Sequence, residues 1–517
     1  MLAQSKQDFF FPFTDLTTRL DTRLCLFRLT KLPGDIFRFN IHTHLVSFAV
    51  LSISEVLNRP LPPLSWRSNN PGPSSTTHSA YSRTPIEVRE WTEFATQAAA
   101  QILPTNRTLR SEDYVFRTNL AASNEDSVGS ALDTNVYNLL NSLQTTAWIG
   151  TRSEIGGVLG EPDRVCYIQL SQELRIVMEI KTTRALSCNN LVTKYLEDMA
   201  LIADGYAPAN PTWRQVHQVF GYMCHNNLRY GIFTTYDDTW FMTREAGRLW
   251  ISPSIRHNST QPSVLKCYRY LMELADQGFT SPSPAPSPRP SPPPSPPGDD
   301  SNDDPKDGSH QGRKKQTRKQ DQQRPGIVTR SRNKVQQIFR KLPNGFTVSV
   351  GKLSLHEFDI QELLGEGRTG RVFRATWKGE SVALKVCDLY KHPEYEDEIL
   401  SEVAAYKALE DLQGVCIPHF KIAGYDGGLF SIAMEIAGSP MEVDKLSSQE
   451  RLKIADGLLL IHQHGIMHND IRVYNILVCN GDGFQVHFID FAQSRRTSDK
   501  RELRKEMVQL KSLLKIG

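Results

Sequence analysis

Apolar residues recur at helical spacing at Trp91, Ala95, Ala98 and Ile102. Just ahead, Thr84-Pro85-Ile86-Glu87 reads as a capping box: Thr at the N-cap, Pro at the first helical position, Glu three residues after the cap. The pattern predicts a helix that opens there and ends at Pro104. From this helix to Ala275, helical and strand patterns alternate, as in an α/β domain of roughly 190 residues. Val165 to Leu170 and Leu174 to Ile180 flank the polar turn Ser171-Gln172-Glu173 and predict a hairpin. Gln215 to Cys224 predicts a helix, and Tyr230 to Met242 a second hairpin.

A second patterned region starts at Phe346, where Phe346, Val348 and Val350 alternate as in an antiparallel sheet. Val382 to Lys385 reads as a strand, Phe430 to Ile436 as a buried strand, and the SEVAAYKALEDL segment containing Glu402 as a helix. The turn Asn480-Gly481-Asp482-Gly483 and the run Val486 to Ile489 predict a third hairpin. Arg504 to Leu514 predicts a closing helix.

Composition separates the two regions. Between Ser281 and Pro297, ten of seventeen residues are Pro, which favours extended chain and cannot form a core. Asp299 to Asp304 adds four acids, and Lys306 to Lys341 carries twelve Lys or Arg against two Asp. The expected organisation is therefore an α+β multidomain chain. It has an N-terminal extension over 1–83, an α/β domain over 84–278, a disordered Pro/Ser-rich then basic linker over 279–342, and a second domain over 343–517. Asn69 to His78 reads as a linker inside the extension, which offers no readable chemistry.

The net charge of +3 over 517 residues points to no partner by itself. Within the linker, Arg313-Lys314-Lys315 and Arg318-Lys319 suit a nuclear import signal, a nucleic-acid backbone contact or a plain solvated tail. The eight Cys lie singly, with no C-x-x-C pair, which argues against structural zinc and for a reducing compartment. No run of about 18 apolar residues is present, so no membrane span is expected. The expected setting is intracellular, cytoplasm or nucleus, with secretion as an effector as the alternative.

The chemistry concentrates in Met467 to Ala492. His468, Asp470 and Asn475 stand in the spacing H-x-D-x-x-x-x-N, and Asp490 follows the third hairpin. Phosphoryl transfer from ATP needs a carboxylate to orient the attacking hydroxyl, and an Asn with a second carboxylate to hold magnesium. Upstream, Gly365-x-Gly367-x-x-Gly370-x-Val372 would let a hairpin backbone approach phosphates, with Val372 over the adenine. Val382-Ala383-Leu384-Lys385 places a Lys within reach of the α- and β-phosphates. Glu402, with Glu398 one turn earlier on the same helix face, would pair with it. Met434-Glu435-Ile436-Ala437 falls where the adenine edge would meet backbone groups.

In order and spacing these residues resemble the protein kinase family. The resemblance implies a bilobal fold with ATP and Mg²⁺ as cofactors and a protein as substrate. In its terms Asp470 is the catalytic base and Lys385 the phosphate-binding residue, with Glu402 as partner to Lys385. Asn475 and Asp490 are the metal ligands, and Arg472 takes the place of a Lys that contacts the γ-phosphate. Gly365, Gly367, Gly370, Val372, Ala383, Glu435 and Ala437 would line the nucleotide. The sequence departs from the family at Asn469, where an Arg is usual, and at Ala492, where a Gly is usual. With 25 residues after Ala492 and no A-P-E, the expectation is a shortened C-terminal lobe, either a compact kinase or an inactive one.

In the first region, a simple hairpin centred on Ser171 sets Asp163 beside Glu179, and Lys181 projects to the same face as Glu179. Two acids and a Lys at one strand end can hold Mg²⁺ and position a water. Pro162-Asp163 with Glu179-x-Lys181 resembles the PD-(D/E)xK nucleases and implies a restriction-endonuclease-like α/β fold. Gln218 and Tyr222 are similar to the Q-x-x-x-Y of some members, and a further acid would be Glu87 or Glu90. The order of the two parts resembles Crinkler-type and fungal-type proteins. The leading expectation is an ATP-dependent protein kinase, Ser/Thr ahead of Tyr. The alternatives are a Mg-dependent nuclease regulated or targeted by the kinase-like part, and a pseudokinase binding module.

Overall fold

The structure, a computed structural model, describes residues 26–31, 37–42, 50–67, 83–102, 108–110, 116–143, 146–183, 188, 190–208, 211–284, 338–480 and 483–516. The basic segment around Arg313 to Lys319, the Asn69 to His78 stretch and the Gly481-Asp482 turn lie outside them.

The first sheet has eight strands. Its main path is built from β1 (Glu87–Glu90), β2 (Ala147–Gly150), β3 (Arg164–Ile168), β4 (Glu173–Ile180), β5 (Tyr230–Thr234), β6 (Asp238–Glu245) and β7 (Arg248–Ile251), in the order β1-β7-β6-β5-β4-β3-β2. Ile255–Arg256 pairs with β6 off that path. The β4–β5 pair is parallel because the chain crosses over through two helices, α3 (Leu191–Ala203) and α4 (Trp213–His225), before returning. Helices α1 (Phe94–Ala100), α2 (Glu125–Leu132) and α5 (Val264–Gln277) supply buried side chains such as Phe94, Val128 and Leu271 to a core shared with Met178 and Ile232 of the sheet.

One expected element is different. Residues 84–90 do not open a helix: Glu87–Glu90 is an edge strand parallel to β7, and the helix begins at Phe94 with no side-chain cap. The Ile86 amide donates to the Gly247 carbonyl at 2.8 Å and the Trp91 amide to that of Ile251 at 2.8 Å. Pairing with an open sheet edge satisfies these backbone groups over the whole stretch, whereas the local capping signal offers two hydrogen bonds. Of the expected face, Ala98 is buried and Trp91 and Ala95 pack partly buried against the same core, while Ile102 is exposed.

The second sheet has seven strands: β8 (Ile338–Lys341), β9 (Thr347–Lys352), β10 (Phe358–Gly367), β11 (Gly370–Trp377), β12 (Glu380–Asp388), β13 (Phe420–Asp426) and β14 (Leu429–Glu435), in the order β8-β9-β13-β14-β12-β11-β10. Helix α6 (Glu396–Ala408) packs on it through Ile399, Val403 and Tyr406. Below lie helix α7 (Ser448–Gln463), the hairpin β15 (Ile476–Cys479)–β16 (Gln485–Phe488) and helix α8 (Lys500–Leu513). Leu510 and Leu514 are fully buried in the same cluster as Ile466 and Ile471. The two sheets also share an apolar cluster, in which Val177, Phe220 and Met223 meet Phe373, Leu384 and Tyr390.

Candidate functional site

The cleft between the second sheet and the α7–α8 layer gathers most of the expected chemistry. Lys385 projects from β12, and its Nζ donates to Glu402 Oε2 at 2.7 Å and to Asp490 Oδ1 at 3.1 Å. Glu402 is buried on α6. Glu398, one turn earlier, instead bonds the Arg368 guanidinium and, at 3.0 Å, Gln493. The packing of α6 thus settles which of the two acids meets Lys385. Burial works against the Lys385 charge, but the Glu402 and Asp490 carboxylates outweigh it and hold the ammonium well above its ordinary value. Burial likewise opposes charge on Asp490, and Lys385 outweighs it, keeping that carboxyl below its usual range.

Asp490 sits in the left-handed region (φ 63°, ψ 63°), which turns its carboxylate back into the cleft. Phe491 beside it is buried between the His468 ring at 4.6 Å and the Tyr406 ring at 5.2 Å, so the turn is locked by packing. Across from it, the Asn475 Nδ2 donates to Asp470 Oδ2 at 2.7 Å and to the Asp470 carbonyl at 2.9 Å. With the amide nitrogen so used, the oxygen of Asn475 is the atom left for a hard cation, the ligand type that Mg²⁺ takes. Arg472 reaches both acids, with Nε 3.1 Å from Asp470 Oδ2 and Nη2 3.6 Å from Asp490 Oδ2.

The glycine hairpin is β10–β11, with Gly365 opposite Val372 and Gly367 opposite Gly370. A Cβ on Gly370 (φ +152°) would lie 2.3 Å from the Val386 carbonyl, so that position excludes any side chain. A Cβ on Gly365 would meet nothing, which leaves the space over the hairpin open for phosphates. Ala383 faces Met434 across the β12–β14 ladder. At the strand end the Glu435 amide donates to the His419 carbonyl at 2.9 Å, and the Ala437 carbonyl accepts from His487 Nδ1 at 3.2 Å.

The loop carrying Asp470 is held from below by Glu506 of α8. Glu506 accepts from the His468 amide at 3.1 Å, from the Asn469 amide, and from His462 Nε2 at 2.7 Å. Burial opposes its charge, but His462 and the two amides keep the carboxyl below its usual range. His468 is buried, burial pushes its pKa down, and its Nε2 donates to the Ile489 carbonyl at 2.9 Å. Glu506 was legible in outline: with Leu510 and Leu514 it lies on the apolar face of the expected helix, where a carboxylate demands partners.

The first sheet brings together a second constellation. Strands β3 and β4 pair with Arg164 opposite Met178, so Asp163 arrives beside Glu179, and Asp163 Oδ2 accepts from the Ile180 amide at 2.7 Å. Lys181 Nζ donates to Glu179 Oε1 at 2.7 Å and to Glu125 Oε2 at 3.1 Å. The acid that joins this group is Glu125, in the first turn of α2 behind the Asn124 cap; Glu87 and Glu90 lie elsewhere. Glu87 lies on the edge strand and bonds Arg89 at 2.7 Å. Glu90 ends that same strand, exposed. Gln218 and Tyr222 do meet, at 3.1 Å, and the Tyr222 hydroxyl donates to Asp388 of the second sheet at 2.8 Å. Burial and then the neighbouring Asp163 carboxylate push the Glu179 carboxyl up to about 7.

Residues 358–511 match the protein kinase domain family. The chain is 32% identical over 165 residues to the serine/threonine-protein kinase ppk11 of Schizosaccharomyces pombe, covering 30% of this chain and 51% of that protein. It is 28% identical over 158 residues to the serine/threonine-protein kinase grp of Drosophila melanogaster, covering 28% of this chain and 30% of that one. Against myosin light chain kinase 3 of Homo sapiens it is 29% identical over 173 residues, 30% of this chain and 21% of that protein. The chain therefore spans about half or less of the length of these relatives.

Proposed function

We propose, from the premise that residues 358–511 form a protein kinase domain, that this chain transfers the ATP γ-phosphate to a protein hydroxyl, Ser or Thr ahead of Tyr. The observation that carries the reading is Lys385 held between Glu402 at 2.7 Å and Asp490 at 3.1 Å. This pairing pre-positions an ammonium for phosphate oxygens and sets a metal-binding carboxylate beside it. Asp470, fixed by Asn475, accepts the proton of the attacking hydroxyl as its bond to the γ-phosphorus forms and the bond from that phosphorus to the bridging oxygen breaks, releasing ADP. Arg472 lies between Asp470 and Asp490, where negative charge develops on the transferred phosphoryl group. Asn475 and Asp490 would hold Mg²⁺, which supplies charge neutralisation on the phosphates.

Purified full chain with labelled ATP and Mg²⁺ should label itself or a Ser/Thr-rich acceptor, and Asp470→Asn and Asp490→Asn should each remove at least about a hundredfold of that rate. Equal labelling by all three proteins would end the kinase reading. ATP binding without transfer in the wild type would make this part a nucleotide-responsive binding module.

A second reading rests on the acid pair. Asp163, Glu179 and Lys181 meet at one strand end, and the buried Glu179 Oε2 has no hydrogen-bond partner, a lone oxygen suited to a divalent cation. We therefore propose that the N-terminal part is a PD-(D/E)xK-like module that acts on nucleic acid with Mg²⁺. Asp163 and Glu179 would hold the ion, and Lys181 would orient a water. The Crinkler-like order of the two parts belongs to the same proposal.

A further inference from the structure

Lys391 lies in the connection between β12 and α6, on the C-terminal half, yet its side chain ends in the N-terminal half. Its Nζ is 2.7 Å from Asp163 Oδ1 and 2.7 Å from Glu179 Oε1. A monovalent cation on two convergent carboxylates stands where a divalent ion would bind the same pair. We propose that Lys391 is an intramolecular counter-ion that closes the Asp163–Glu179 cation site, so that the kinase-like half holds the N-terminal site shut. This inference rests on the second reading above.

The loop is built to deliver that lysine. Asp388 Oδ1 accepts from the Tyr390 amide at 2.8 Å and from the Lys391 amide at 3.3 Å, which folds the chain back just before Lys391. Asp388 Oδ2 accepts from the Tyr222 hydroxyl at 2.8 Å and the Glu161 amide at 2.6 Å, which fastens the loop to the other half beside the acids. The Tyr390 ring fills the space over α4, where a Cβ on Gly221 would lie 2.2 Å from its hydroxyl. The Arg83 amide donates to that hydroxyl at 3.1 Å, and the Arg83 guanidinium pairs with buried Asp426 at 2.6 Å. Apolar burial, hydroxyl bonds and one buried ion pair thus converge around a single inserted ammonium.

Charge explains why a cation is required. Glu179 is fully buried and its Oε1 already receives Lys181, while Oε2 receives nothing. Buried Glu179 and half-buried Asp163, side by side, repel unless a second positive charge joins Lys181. Among the described residues no three His, Cys, Asp or Glu side chains gather as a metal nest, so an incoming ion would take two acids and keep several waters. Lys391 and such an ion cannot share that space. Opening the site requires the loop between β12 and α6 to withdraw.

The test uses the full chain without nucleotide at pH 8, with Mn²⁺ as probe, followed by its electron paramagnetic resonance signal. Wild type, Lys391→Ala and Lys391→Gln are compared, each with and without Glu179→Gln, and folding is checked by circular dichroism. Lys391→Gln removes the charge but keeps a hydrogen-bonding end on a side chain one atom shorter, so it carries the test if the alanine variant does not fold. The expected result is a Glu179-dependent Mn²⁺ site in the Lys391 variants, at least tenfold tighter than in wild type. If wild type holds Glu179-dependent Mn²⁺ as tightly as Lys391→Gln, Lys391 does not close the site, although the site is real. If no protein binds Mn²⁺ in a Glu179-dependent way, the cation-site reading falls, and this inference with it.

Discussion

Glu506 accepts hydrogen bonds from the backbone amide of His468 at 3.1 Å and from that of Asn469, two residues and one residue before Asp470. The last helix of the described chain therefore sets the position of the proposed base through the backbone. Glu506→Gln keeps one acceptor and loses the charge, so kcat is expected to fall about tenfold to a hundredfold with KM for ATP unchanged. Glu506→Ala leaves the buried His468 amide, the part-buried Asn469 amide and the buried His462 ring without their acceptor and should lower stability by about 3 kcal/mol. Steady-state kinetics with thermal melts check this; a raised KM with unaltered kcat would show that Glu506 does not act through the loop.

Glu402 and Glu398 stand one turn apart but have different partners, Lys385 for the first and Arg368 with Gln493 for the second. Glu402→Gln removes the charge that fixes the Lys385 ammonium and should cut kcat/KM by about a hundredfold. Glu398→Gln loses a half-exposed surface pair and should stay within a few-fold of wild type. A reversed order of the two variants in the same labelling assay would contradict the assignment.

The Glu179 carboxyl is pushed up to about 7 from an ordinary 4.5, first by burial and then by Asp163. A group whose folded pKa is raised retains a proton that the unfolded chain has already lost. Its contribution to stability is present below 4.5 and is lost as pH rises through about 7. Between pH 5 and 8 the wild type should lose up to about 3 kcal/mol on this account, and Glu179→Gln should not. Melting temperatures across that range decide it; parallel curves for the two proteins would mean that Glu179 does not titrate there.

Much of both sites could be read along the chain because their parts are local or obey fixed geometry. Asp470 and Asn475 share one short loop, Gly365 to Gly370 one hairpin, and period-two alternation alone puts Glu179 and Lys181 on the same face. The hairpin itself was legible, but the register that brings Asp163 to Glu179 is completed by a bulge between Leu174 and Ile176: Leu174 faces Tyr167, and only past the bulge does Met178 face Arg164. Local signals failed where a sheet edge competed. The cap at Thr84 lost to strand pairing with β7, because an open edge satisfies more backbone groups than a cap does.

What the chain order could not supply was any relation that depends on how packed layers meet. The choice of Glu402 over Glu398 was set by the rotation of α6 against β12, and the choice of Glu125 by the approach of α2 to β4. Lys391 carries no mark in the sequence, since it lies in a loop 212 residues from Glu179. The shared apolar cluster around Tyr222 and Tyr390, with the Asp388 bonds to Tyr222 and Glu161, brings it there. Periodicity and spacing fix which side chains share a face. Burial of complementary surfaces fixes which faces meet, and here it places a lysine of one half in the acid site of the other.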